Sequence, residues 1–109
     1  MAFVAIISNF PPSKQVEVDQ VFTKLQQTAP PRFIKGRGLF QWGSRDGTEV
    51  ISIFEMNNAK LYDGLLELSA RMVEFNSIEG YRYDIRVVAT PADMQAAVPL
   101  VAARRAKQK

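Results

Sequence analysis

The sequence predicts an α+β domain in which four strands and two helices alternate as βαββαβ, with a third helix appended. Three observations carry that prediction. Two β-rich runs, residues 33–42 and 48–56, flank Gly43-Ser44-Arg45-Asp46-Gly47, and its Asp-Gly pair suits a hairpin turn. Two segments, before and after that hairpin, place apolar residues at helical spacing. Each of them connects the hairpin to an outer β-rich run, residues 3–8 on one side and 81–89 on the other.

Residues 3–8, Phe-Val-Ala-Ile-Ile-Ser, are apolar without alternation, as in a strand covered on both faces at the centre of a sheet. Asn9-Phe10-Pro11-Pro12 is expected to end it, and Ser13 to cap a helix carrying Val18, Val21, Phe22 and Leu25 on its apolar side. That helix must stop before Pro30-Pro31, because proline lacks an amide donor and restricts the residue before it. In the hairpin, Asp46 and Gly47 as central turn residues pair Trp42 with Ile51 and Phe40 with Ile53. These four large apolar groups then share one face, expected to meet the helices. The other face carries Arg37, Leu39, Gln41, Val50, Ser52 and Phe54.

Asn57-Asn58 leads into the clearest helical pattern, residues 59–76, with Leu61, Leu65, Leu68, Met72 and Phe75 on one stripe and Gly80 beyond its end. Residues 81–89 alternate strictly, with charges at Arg82, Asp84 and Arg86. Thr90-Pro91-Ala92-Asp93 offers an N-cap, a proline at the first helical position and an acid at the third. A short helix through Met94, Ala97 and Val98 follows, expected to break near Pro99. Two crossover helices around a hairpin give the ferredoxin-like arrangement, strand order 4-1-3-2, with both helices on one face. The apolar runs fall on its central strands and Lys35, Arg37, Arg82, Asp84 and Arg86 on its edges.

At 109 residues there is room for one domain, read as residues 1–103, followed by a basic tail, 104–109. The absence of cysteine and histidine removes disulfides, thiolate chemistry, the commonest metal ligand and the commonest general base. No metal and no cofactor is expected. The net charge of +3 comes from Arg104, Arg105, Lys107 and Lys109; without them the rest of the chain is slightly acidic. A solubilising terminus is therefore preferred to a phosphate-binding arm, and nucleic acid is not an expected partner. The N-terminal apolar run is too short for a signal peptide or a membrane span, which implies a cytoplasmic protein.

A proline pair before the hairpin, Gly38 and Trp42 in a Gly-x-x-x-Trp pattern, and an acid closing the third strand before a polar pair (Glu55-Met56-Asn57-Asn58) form a recognisable set. Over residues 3–89 the chain resembles the small dimeric α+β barrel proteins, and is most similar to their short uncharacterised members. That resemblance implies a homodimer whose two sheets pack face to face, with pockets between sheet and helices or inside the barrel. Characterised relatives include cofactor-independent monooxygenases, haem-degrading enzymes and lactone isomerases; their catalytic or haem-ligating histidines have no counterpart here.

A helix-free sheet face with apolar central strands calls for a partner, and Leu39, Val50 and Phe54 are the expected dimer contacts. Arg82, Arg86, Gln41 and Tyr83 are the expected ligand-binding residues, the arginines gripping a carboxylate or phosphate. The plainer reading makes the arginines a charged edge that resists sheet-to-sheet association, and the tyrosines core residues. Glu49, Glu55 and Asp84 are the available bases, but no fixed spacing marks a catalytic pair. Gly36 and Gly38 point to a bulge rather than a phosphate loop, because a strand follows them and not a helix N-terminus. The function expected is binding of a small anionic or aromatic organic molecule. The enzyme alternative is a cofactor-independent oxygenase or isomerase whose substrate does much of its own chemistry.

Overall fold

In the computed structural model, which describes residues 1–107, the order is β1 (Ala2–Phe10), α1 (Gln15–Gln26), β2 (Lys35–Ser44), β3 (Gly47–Met56), α2 (Leu61–Val73), β4 (Arg82–Val88) and α3 (Pro91–Lys107). The strands form one antiparallel sheet, β2-β3-β1-β4, which is the expected order. Val18 of α1 and Leu68 and Met72 of α2 enter the same core as Val4, Ile6 and Phe10 of β1. Both crossover helices therefore cover one face, and the fold is ferredoxin-like.

Helix starts differ from expectation in a common way. Pro12–Lys14 and Asn58–Lys60 each form a 3-10 turn ahead of the α-helix. Ser13 lies inside the first turn and caps nothing; the chain enters α1 through Pro12, whose fixed φ suits a tight first turn. Before α2, Asn57 Oδ1 accepts from the Ala59 amide at 3.4 Å. Gly64 of α2 sits against Met56 and Phe33, where an added Cβ would collide with the Met56 thioether, so this helix approaches the sheet closely.

The hairpin turn is one step earlier than expected. Ser44 pairs with Gly47, leaving Arg45 and Asp46 as the turn, and Phe40 faces Ile51 while Trp42 faces Glu49. Ser44 Oγ closes the turn, accepting from the Asp46 amide (3.3 Å) and donating to the Gly47 carbonyl oxygen (3.0 Å). Gly47 takes φ +122°, and a Cβ there would strike the Phe10 carbonyl. At the other end of β2 the register shifts between Gly36 and Gly38, so Arg37 occupies the expected bulge and its guanidinium pairs with Glu55 at 2.5 Å.

The register decides which face each residue occupies, and it reverses the expected assignment of the hairpin. Phe54, Ser52 and Val50 stand beside Val4, Ile6 and Ser8, the core side of β1, and Gln41 and Leu39 follow them across β2. Leu39, Val50 and Phe54 therefore face the helices. The helix-free face carries Phe3, Ala5 and Ile7 of β1, Ile51 and Ile53 of β3, and Phe40 and Trp42 of β2, the last two 58% and 44% exposed. Both faces of the hairpin are apolar enough to be buried, so residue type alone did not separate them.

Tyr81, Tyr83 and Ile85 pack against the core, as the alternation of the last strand requires. After β4, Thr90 Oγ1 accepts from the Asp93 amide (3.2 Å) while Asp93 Oδ2 accepts from the Thr90 amide (2.8 Å), a reciprocal cap that starts α3 where expected. These hydrogen bonds hold the Asp93 carboxyl below its ordinary range. The helix does not break at Pro99; it continues to Lys107, with Arg104 and Arg105 in its last turn. No residue of α3 is buried.

Candidate functional site

Between α1 and the β1-β3-β2 half of the sheet lies a cleft of roughly 540 Å³. Its floor is made of Ile6 and Ser8 of β1, Val50 and Ser52 of β3, and Gly36, Gly38 and Gln41 of β2. Gly36 leaves the floor low beneath α1, Gly38 borders it through its backbone, and the serines provide hydroxyls among apolar walls. Phe22, Leu25 and Val18 of α1 form the roof, with Gln15 and Asp19 at its edge, where the Gln15 amide donates to Asp19 Oδ1 at 2.8 Å. Leu39 and Phe54 flank the floor.

The inner wall is aromatic. Tyr81 stacks on Phe75 with ring centres 4.6 Å apart and on Phe10 at 5.8 Å, so three rings present a layered surface to the cleft. Burial pushes the Tyr81 phenol above its ordinary range, while a hydrogen bond with Ser8 and the neighbouring Tyr83 make smaller, opposing contributions. At this depth the phenol is a neutral hydrogen-bonding group. Arg71, on α2, donates to the carbonyl oxygens of Thr28 (2.7 Å) and Leu25 (3.0 Å), fastening the C-terminal end of α1 to α2. That clamp holds the roof in place, and it occupies the guanidinium that borders the cleft.

The residues expected to bind a ligand are divided between the two faces. Gln41 lines the cleft, and Tyr83 packs against the core on the same side of the sheet, next to Tyr81. Arg82 and Arg86 lie on the helix-free face, in register with Asn9 and Ala5. Arg86 is paired with Asp84 at 2.8 Å, and Arg82 borders a shallow groove with Asn9 and Glu49. Tyr83 also borders that groove, but strand alternation sends its ring to the covered side of the sheet and the arginine side chains to the other. The cleft residues Ser8, Ser52, Phe22, Phe75 and Tyr81 carry no sequence motif. The one available signal was the lightness of part of the floor, two serines and Gly36 on strands otherwise rich in large groups.

Among the described residues no cluster of three or more acidic side chains is placed to hold a metal ion, and no helix is long and apolar enough to cross a membrane.

No family model matches the sequence, and no curated protein does. Solved structures similar in shape include two of different origin. A de novo designed protein, Foldit4, superposes with TM-score 0.50 at 6% identity, covering 82% of this chain and 96% of its own. A monooxygenase from the gene ActVA-Orf6 of Streptomyces coelicolor, solved in complex with the ligand Nanaomycin D, superposes with TM-score 0.45 at 17% identity, covering 82% of this chain and 88% of its own. These likenesses concern architecture; neither transfers a residue role or an activity.

Proposed function

We propose that the protein is a homodimeric binding module of the dimeric α+β barrel type, which takes up a small, neutral, aromatic organic molecule between α1 and the sheet. The observation that carries this reading is the cleft itself. It has the volume of a small-molecule site, apolar walls, a stacked aromatic end and a few convergent polar groups in Ser8, Ser52, Gln41 and Tyr81. An aromatic guest gains contact from the Phe75-Tyr81 layer, and the hydroxyls orient its carbonyl or hydroxyl substituents. An anion has little to hold it, because Arg71 is engaged with α1 and Arg82 and Arg86 face the other way.

Dimer formation is supported by the helix-free face, where Phe3, Ile7, Phe40, Ile51 and Ile53 make a continuous apolar patch across three strands. Packing two such faces together removes the patch from water and leaves the clefts on the outside, one for each protomer.

The test combines native mass spectrometry of the purified protein with thermal shift against two probe sets. Neutral fused-ring phenols and quinones are expected to raise Tm, and Ser52→Trp, which fills the floor, to abolish the rise while the far-UV spectrum is retained. Citrate, phosphate and aliphatic carboxylates are expected to act no differently from matched chloride. A response to the anions alone would overturn the reading.

A further inference from the structure

α3 leaves the body of the protein without packing on it. It is 17 residues long with no buried side chain, and its two-residue connection to β4 is stiffened by the Thr90-Asp93 reciprocal cap. The consequence is visible in the overall dimensions. The radius of gyration is 17.3 Å, and the molecule extends 57 Å in its longest direction, against about 13 Å expected for the radius of a compact domain of this length. An isolated helix of this length containing a central proline is only marginally stable in water.

The helix nevertheless has an apolar stripe: Met94, Ala97, Val98 and Val101 follow at i, i+3, i+4 and i+7, and Met94 and Val98 are more than 60% exposed. This stripe reads the same from either end. Its centre lies between Ala97 and Val98, so in an antiparallel pair of such helices Met94 meets Val101 and Ala97 meets Val98. That is the self-complementarity an isologous two-fold contact requires. Charge selects the antiparallel arrangement. Asp93 occupies the first turn, and Arg104, Arg105 and Lys107 the last. Antiparallel packing brings the basic end of each helix towards the acidic start of the other; parallel packing would crowd six cationic side chains together.

Area points the same way. Four strands at about 4.8 Å spacing and roughly 30 Å length offer a face of about 600 Å², below the about 800 Å² per partner of a standard interface. A second contact brings the dimer into that range.

We propose that α3 pairs antiparallel with α3 of a second copy of this chain, its two-fold axis passing between Ala97 and Val98. The pairing is an additional element of the dimer read above and is independent of what the cleft binds.

The absence of cysteine makes the test clean. Single variants V98C, M94C and V101C, all at exposed positions, are oxidised under mild conditions. V98C, next to the axis, is expected to give a covalent dimer in high yield, and M94C mixed with V101C to give the heterodimer. M94C alone should give at least tenfold less, since its two copies would lie about 10 Å apart along the axis. Efficient M94C self-crosslinking would mean a parallel pair and overturn the proposal, as would equal yields at all positions. Sedimentation of the chain ending at Ala89 separates the two contacts. If V98C does not crosslink while both full-length and shortened chains remain dimers, the α3 pairing is wrong and the sheet contact stands.

Discussion

The two faces of this sheet are built from the same residue types and have different consequences. The helix-covered face of the hairpin carries Leu39, Gln41, Val50, Ser52 and Phe54, with Gly36 beside the bulge, and is only partly filled. The helix-free face carries Phe40, Trp42, Ile51 and Ile53, and among the described residues no helix covers them, with Phe40 and Trp42 left exposed and the two isoleucines half-buried. A covered face that is too light leaves a cavity, and an uncovered face that is too heavy calls for a second surface. Placing Phe40 and Trp42 outside while Ser52 and Gly36 lie inside is the reverse of what a monomer needs. It is what a protein needs if its interior accepts a guest and its exterior accepts another copy of itself.

The comparison can be broken most severely at its common element, β1. Phe10, fully buried and stacked on Tyr81, belongs to the covered side, and Phe10→Ala is expected to cost about 3–5 kcal/mol in urea unfolding. Ile51→Asp on the opposite side should leave the fold intact and weaken association by roughly a hundredfold, about 3 kcal/mol, read by sedimentation. Were the faces assigned the other way, Ile51→Asp would unfold the chain. Arg71→Gln sharpens the covered side alone. Losing the two charge-assisted bonds to α1 at a part-exposed position should cost about 1 kcal/mol and raise amide exchange at residues 25–28 before anywhere else. Changing both Arg82 and Arg86 to Gln alters the β4 edge of the helix-free face, beside the apolar patch rather than in it, and should shift the protomer's stability by at most about 1 kcal/mol.

The smallest expected effects are in pH. Tyr81 has its folded pKa raised by burial, so the unfolded chain loses this proton first. Stability is therefore full below the ordinary tyrosine pKa and is lost as pH rises through the folded value. Tyrosinate absorbance in wild type and Tyr81→Phe should show one late-titrating phenol that is missing from the variant. Asp93 has the opposite sign: its depressed pKa favours the cap above the ordinary carboxylate range, and the cap weakens as pH falls through the folded value, visible in the Asp93 amide resonance.

Much of the fold was legible because periodicity reports geometry directly. The alternation from Tyr81 onward, the stripe from Leu61 to Met72 and the glycines around Arg37 each imposed one local structure, and strand order followed from connection lengths. The faces were less legible, since hydrophobicity says that a surface is buried and not what buries it. The hairpin illustrates the limit. Asp46-Gly47 looked like the turn centre, but Ser44 supplies the turn's hydrogen bonds and Gly47 is needed for its approach to Phe10. The cleft was least legible: its lining comes from every strand except β4, from both crossover helices and from the segments beyond them, at spacings set by packing. Gln41 was found and Tyr83 lies near, while the arginines were drawn in by chemistry that the strand's own alternation places on the far side.

The bulge at Arg37 has a consequence for how copies of this chain avoid the wrong association. β2 is an edge strand with a glycine on either side of the extra residue, and its register shift interrupts the regular row of backbone donors and acceptors that another strand would need. The ion pair with Glu55 keeps a charge at the same place. A sheet with this much exposed aromatic and aliphatic surface would otherwise be a template for open-ended growth, strand upon strand. The interrupted edge disfavours strand-upon-strand addition, whereas the two-fold contact proposed for the flat face is complete after one copy has been added.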